Sequence, residues 1–170
     1  IADNADLGYS GDFSVTAWIR TTATNPAAGP HVAKGNNTFA QNEFELQTTF
    51  SGGFKPRARV WRSGGSEVSV AWGSNLSAST WYFLVMTYNA STRVITLSVN
   101  AAARVSSSAL ADSPARKSQP FRIGGFGSTY HGGRIDQVGF WKRQITVDEE
   151  AWLYNLGNGR TYAEIAATGA

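Results

Sequence analysis

The sequence predicts an all-β fold: a two-sheet antiparallel β-sandwich with one short helix near the C-terminus. Three observations lead there. Short runs with apolar side chains at alternate positions recur along the 170 residues, separated by clusters of Gly, Pro, Asn and Ser. The 18 glycines and 21 aromatic residues (9 Phe, 6 Tyr, 6 Trp), set among many Val, Thr and Ser, suit pleated surfaces and tight turns. No strand–helix–strand alternation is present, so neighbouring strands pair through hairpins rather than crossovers. A chain of this length makes one domain, residues 1–170, and hides roughly 70% of the surface its unfolded form exposes.

The elements follow in order. Phe13, Val15, Ala17 and Ile19 share one face of a first strand, with Ser14, Thr16 and Trp18 on the other. After a loop with Asn-Pro and Gly-Pro breakers, His31 to Lys34 reads as a short strand. Glu43 to Gln47 and Arg57 to Arg62 form a hairpin, and Glu67 to Trp72 follows with Val68, Val70 and Trp72 on one face. Trp81 to Tyr88 is apolar on both faces, as in the middle of a layered sheet, and turns through Asn89 to Arg93 into Val94 to Val99. Asn100 to Gln119 is a long connection with one short strand around Arg104-Val105, and Pro120 to Gly125 is a strand stopped by glycines.

Gly132 to Trp141 is the most strand-like run of the C-terminal third and reads as a central strand. Strict alternation puts Arg134, Asp136, Val138 and Phe140 on one face and Ile135, Gln137, Gly139 and Trp141 on the other. Both faces are then covered, and Asp136 under cover must be paired, hydrogen-bonded or bound to a cation. Thr146-Val-Asp-Glu149 matches a capping box, so a helix runs to about Tyr154, where Asn155 to Gly159 stops it.

Composition excludes several functions. The net charge of +3 is mild, although 11 of the 15 basic residues are Arg, and does not mark a nucleic-acid binder. Cysteine is absent, which removes thiolate metal sites and Cys nucleophiles. No apolar run approaches the ~18 residues of a membrane span. His31 and His131 are the only histidines, with no zinc, serine-hydrolase or phosphate-loop motif. Opening at Ile1 rather than Met, the chain reads as part of a longer protein.

Two groups of residues suit a sugar ring, whose apolar face stacks on an aromatic while its hydroxyls meet planar polar groups. Arg57, Arg59 and Trp61 fall at i, i+2 and i+4, outward if Ala58 and Val60 face the core, with Glu43, Glu45 and Gln47 on the neighbouring strand. The alternative is ordinary cross-strand ion pairing, with Trp61 packed over Arg stems. Tyr130 and His131, with Phe126, lie in a glycine-flanked loop that either presents its aromatics or tucks them against the sheet edge. Trp18, Trp72 and Trp81 are core by pattern, and Trp141 and Trp152 close the sheet against the helix. Glu43 and Glu45 could approach the ~5 Å separation of a retaining glycosidase. The further acid of a Glu-x-Asp-x-x-Glu strand is missing, and nearby arginines would keep both carboxyls ionised.

The ordered set Gly11 to Arg20, Val32 to Gly35, Glu43 to Leu46, Thr80 to Tyr88, Ile95 to Val99, Phe121 to Gly124, Gly133 to Val138 and Leu153 to Gly157 resembles the laminin-G-like group of concanavalin A-like lectin/glucanase jelly rolls. Members often carry Asp-Gly after the strand matched by Ile95 to Val99. This chain has Asn100-Ala101, and Ala tolerates the positive φ of such a turn less well than Asn. The resemblance implies a secreted or surface-displayed, non-catalytic module that binds glycans as part of a larger protein. It also implies a structural calcium, for which Asp136 would supply a carboxylate beside backbone carbonyls near the N-terminal segment; Asp12 joins it here only by its expected proximity in such a fold. A second expectation is a structural or adhesion module of a virion or cell surface, whose partner is a protein.

Overall fold

The computed structural model describes residues 1–4, 6–7, 11–22, 29–36, 41–49, 53–114, 116–126 and 129–168. Among them lie strands β1 (Phe13–Thr21), β2 (Val32–Lys34), β3 (Phe44–Thr48), β4 (Pro56–Trp61), β5 (Glu67–Ala71), β6 (Trp81–Asn89) and β7 (Val94–Val99). After these come β8 (Val105–Ser106), β9 (Phe121–Ile123), β10 (Gly125–Phe126), β11 (Thr129–Tyr130) and β12 (Gly133–Trp141). Helix α1 (Val147–Tyr154) and a second helix α2 (Tyr162–Ala167) close the chain. One five-stranded antiparallel sheet has the order β12-β1-β6-β7-β8 and the other β5-β4-β3-β2-β9, with β10 and β11 forming a small separate hairpin.

The alternation read from the sequence places the core. Phe13, Val15, Ala17 and Ile19 of β1, with Leu84, Met86 and Tyr88 of β6, are buried in one cluster with Phe44, Leu46, Ala58 and Val60 of the other sheet. At one end four rings close on each other: Phe44 lies 5.3 Å from Phe13, 5.8 Å from Phe140 and 6.1 Å from Phe121, centroid to centroid. Full burial of each such side chain contributes about 1.5–3 kcal/mol.

The opposite face of β1 is closed too. Trp18, Phe83 and Val85 form a second buried cluster with Ile145 and Leu153 from the α1 region. Trp141, Trp152 and Tyr154 pack around it, and Tyr154 stacks on Trp18 at 5.7 Å. Helix α1 begins with the expected capping box, Thr146 and Glu149, and ends at Asn155 in the left-handed conformation. It is anchored from below by Glu150, 1% exposed, which accepts hydrogen bonds from Ser98 and from Arg104 Nε at 2.9 Å. Helix α2, which the sequence reading did not contain, uses a second capping box of the same kind, Thr161 and Glu164.

Two differences from expectation matter for the site. Strand β12 lies at a sheet edge, paired only with β1, rather than in the centre. It also carries a bulge: Thr16 pairs with Gly139 and Trp18 with Asp136, so three steps on β12 match two on β1. Gln137 takes φ 46° there. The extra residue reverses the alternation, so Ile135, Val138 and Phe140 all pack on the core, while Arg134 and Asp136 are exposed on the outside. Strict period-2 reading fails at the one residue that breaks the pleat.

The Asn100-Ala101 turn adopts the geometry that Asp-Gly would favour. Both residues have φ 55°, and Ala102 N donates to Val99 O at 3.1 Å. Asn100 offsets part of the strain by accepting Phe83 N on Oδ1 at 2.9 Å.

Candidate functional site

The outer face of β3, β4 and β5 carries Arg57, Arg59 and Trp61 on the side opposite Ala58 and Val60, as alternation requires. It is not an open platform. Trp61 is 1% exposed, and the Arg59 guanidinium lies over its ring at 4.5 Å. Arg59 Nη1 donates to Glu45 at 3.0 Å, and its Nη2 pairs with Glu67. Arg57 donates to Glu67 at 2.9 Å and to the Ser69 hydroxyl at 2.8 Å. Cross-strand ion pairing thus consumes the groups that sequence spacing offered to a sugar, because Arg59 stands directly opposite Glu45 and Glu67 on the other neighbouring strand reaches both arginines.

Burial pushes the Glu45 carboxyl up to about 7 despite the pull of Arg59. The expectation that nearby arginines keep this acid fully ionised is therefore corrected: desolvation outweighs the ion pair. Glu43 is tied to Lys34 at 2.8 Å, and Lys34, fully buried, also donates to Asp3 and to the carbonyls of Lys117 and Gln119. This is a closed structural network, and none of the clefts described below touches Glu43 or Glu45.

Tyr130 stands out from the rim, 61% exposed at the end of β11. His131 beside it turns inward: its Nδ1 lies 3.0 Å from Nδ1 of the buried His31, and its Nε2 lies 3.3 Å from Arg134 O. Burial lowers both imidazoles, His31 well below the usual histidine range. The pair is neutral near pH 7 and shares one proton between facing nitrogens. It ties β2 to the start of β12. The side chain of Phe126 lies outside the described residues.

Asp12 and Asp136 do not fit one calcium site. Asp12 accepts Ala90 N at 2.7 Å on one oxygen and Gln144 Nε2 at 2.9 Å on the other, pinning the start of β1. Asp136 pairs with Trp18, six residues further along β1, which is ~20 Å away at ~3.3 Å per residue. Its Oδ1 accepts the bulge amide of Gln137 at 2.8 Å, and the residue is exposed rather than under cover. Among the described residues no three His, Cys, Asp or Glu side chains converge as a metal cluster.

What does converge lies beside that bulge. Trp18, Trp81, Asp136, Gln137, Gly157 and Asn158 line a cleft of about 220 Å³ on the outer face of the β12-β1-β6 sheet. Trp18 and Trp81 both follow the outward parity of their strands, but α1 covers only the Trp18 end. Trp18 is therefore 6% exposed, whereas Trp81 is 38% exposed. The Trp18 indole N–H is buried without a hydrogen-bond partner, a state that costs about 1–3 kcal/mol unless a ligand or solvent accepts it. Gly159, at φ +68°, gives the loop after α1 its close approach: a Cβ there would sit 2.8 Å from Gln137 Oε1 and 3.2 Å from Trp18 Nε1. Gln137 Oε1 accepts Arg160 N at 3.3 Å, joining bulge to loop. One ring face, one carboxylate and two amide side chains thus border a space suited to a single small ring. The sequence reading assigned Trp81 to the core; the signal available was its place at the first residue of a strand, beyond the reach of a short helix.

Two larger grooves, each about 520 Å³, run between β12 and the C-terminal helices. Trp141, Leu153 and Arg143 line both. Arg143 stands 5.9 Å over Trp141 and Arg160 4.7 Å over Trp152.

Comparison with known proteins bears on the fold. A family model described as the concanavalin A-like lectin/glucanases superfamily matches residues 1–149. No curated protein sequence matches the chain. Among solved structures, the chain is similar to the CBM40 of the Ruminococcus gnavus IT-sialidase bound to α2,3-sialyllactose, with TM-score 0.64, 13% identity, and 88% of this chain and 92% of that one covered. Domain 4 of AbnA, an extracellular arabinanase from Geobacillus stearothermophilus in complex with arabinotriose, gives TM-score 0.64 at 11% identity over 86% of this chain and 68% of that one. The botulinum neurotoxin type G receptor binding domain gives TM-score 0.60 at 13% identity over 86% of this chain; the match spans 38% of that chain's length. At such identities the likeness is one of fold.

Proposed function

The chain belongs to the concanavalin A-like lectin/glucanases superfamily, and from that premise we propose that it is a non-catalytic carbohydrate-binding module of a larger secreted or surface protein. The observation that carries the reading is the cleft in which the exposed face of Trp81 meets Asp136, Gln137, Asn158 and the edge of Trp18. A sugar ring stacks on Trp81 through its C–H face and offers hydroxyls to the carboxylate and the amides. Similar structures solved with sialyllactose and with arabinotriose support the class of ligand without fixing the sugar. Catalysis has no support in the geometry: the cleft holds one carboxylate, and glycoside hydrolysis needs two.

A glycan array tests the reading, with Trp81→Ala as the control. Binding is expected in wild type and lost in the variant, and repeating the array in calcium and in chelator shows whether an ion takes part. No glycan signal from a folded wild-type protein would turn attention to the second reading, a protein-contacting module. The apolar grooves along Trp141 and Leu153 favour that one.

A further inference from the structure

Resting on the glycan-binding reading of the cleft, we propose that the sugar it takes is acidic, with a carboxylate held between Arg20 and Arg134. The register sets Arg134 of β12 directly opposite Arg20 of β1, and Arg20 directly opposite Trp81 of β6. All three follow the outward parity of Trp18 and Asp136, so they continue the cleft along the sheet surface. Directly opposed residues have Cβ atoms ~5 Å apart, and like charges so placed destabilise a sheet unless an anion lies between them.

Among the described residues the fold supplies no such anion. Arg57, Arg59, Arg104, Arg116, Arg143 and Arg160 each pair with a carboxylate. Among the described residues Arg20 and Arg134 do not, and Asp136, two positions from Arg134, accepts the Gln137 amide instead. Arg20 is also held in place. Its Nε donates to Ser79 O at 2.9 Å, and Ser79 N donates to Thr21 O at 2.8 Å, so the turn before Trp81 holds the guanidinium through Nε and leaves its two Nη groups to pair elsewhere. A planar carboxylate matches those two groups in a bidentate way. A ring stacked on Trp81 would bring its substituents to the neighbouring Arg20 and Arg134. The carboxylate would belong to a uronic acid or another carboxylated sugar, and Asp136 leaves the patch with a single net positive charge, suited to one negative charge.

The test is calorimetric titration of the intact chain with oligogalacturonides, oligoglucuronides and sialyllactose, each beside its carboxyl-reduced counterpart. At least one acid is expected to bind about tenfold or more tightly than its reduced form, the worth of one charge-assisted pair. Arg134→Gln, which removes one of two opposed like charges and so should not lower the melting temperature, should erase the difference between acid and reduced form. Added salt should weaken only the acidic ligand. Equal binding of acidic and reduced forms overturns the carboxylate assignment while the glycan reading stands. Tighter binding of a sulfated oligosaccharide, heparin-derived, than of any carboxylated one overturns it likewise. Binding of neither form defeats the glycan reading and this inference together.

Discussion

On the outer face of β3, β4 and β5, Arg59 lies over Trp61 and between Glu45 and Glu67, and Trp61 is sealed. On the outer face of β12, β1 and β6, Arg20 stands beside an exposed Trp81, with no carboxylate among the described residues paired to it. The residue types are the same, although Arg59 and Trp61 stand two apart on one strand and Arg20 and Trp81 directly opposite each other on two. What differs is the partner opposite: acids on neighbouring strands in the first case, a second arginine in the second. Cross-strand chemistry decides whether an arginine–tryptophan pair becomes structure or is left for a ligand.

Substitutions separate the two regions, the largest effect first. Trp61→Ala should destabilise the fold by about 3–5 kcal/mol, as for other buried Trp truncations, and should leave glycan affinity of the folded fraction intact. A variant that stays stable and loses binding would show that Trp61 is the platform after all. Arg59→Met removes the shared partner of Glu45 and Glu67 and should cost about 3 kcal/mol in chemical denaturation. Gly159→Ala places a Cβ against Gln137 at a positive φ; a loss of about 1–2 kcal/mol and weaker sugar binding together would tie the loop to the cleft. Trp81→Ala, smallest in stability at under ~1 kcal/mol, should abolish binding.

The regions also differ in pH response. Glu45 binds a proton up to about pH 7 in the fold, so its contribution to stability is present below the unfolded value near 4.5 and is lost as pH rises through 7. The His31–His131 pair has lowered values, so its contribution is present above 6.5 and is lost as pH falls below that. Denaturation of Glu45→Gln should therefore show a gain over wild type that grows from pH 5 to 8. A flat difference would mean that the Arg59 pair, not burial, governs Glu45.

Much of the fold was legible in the sequence because it depends on local periodicity. The core residues of β1, β6 and β7, the β3–β4 hairpin and the Thr146 capping box all follow from patterns within ten residues. The edge position of β12 was not, since strand order is a long-range property. Neither was the Gln137 bulge, which transferred Val138 and Phe140 to the core and Asp136 to solvent. Helix α2 carried its signal, Thr161 and Glu164, in plain view, but six residues give too little apolar periodicity to stand out. For the site, alternation correctly predicted which face Arg59 and Trp61 occupy. The alternative named for that face, cross-strand ion pairs with Trp61 packed against an Arg, is the one the structure shows, whereas alternation could not predict that α1 would stop short of Trp81.

Indole N–H resonances, followed by NMR while an oligosaccharide that binds is titrated in, test the central claim most directly. Trp18 and Trp81 should shift together with ligand, and Trp61 should hold its position. A moving Trp61 signal, with Trp18 and Trp81 unchanged, would place recognition on the other sheet and contradict the account.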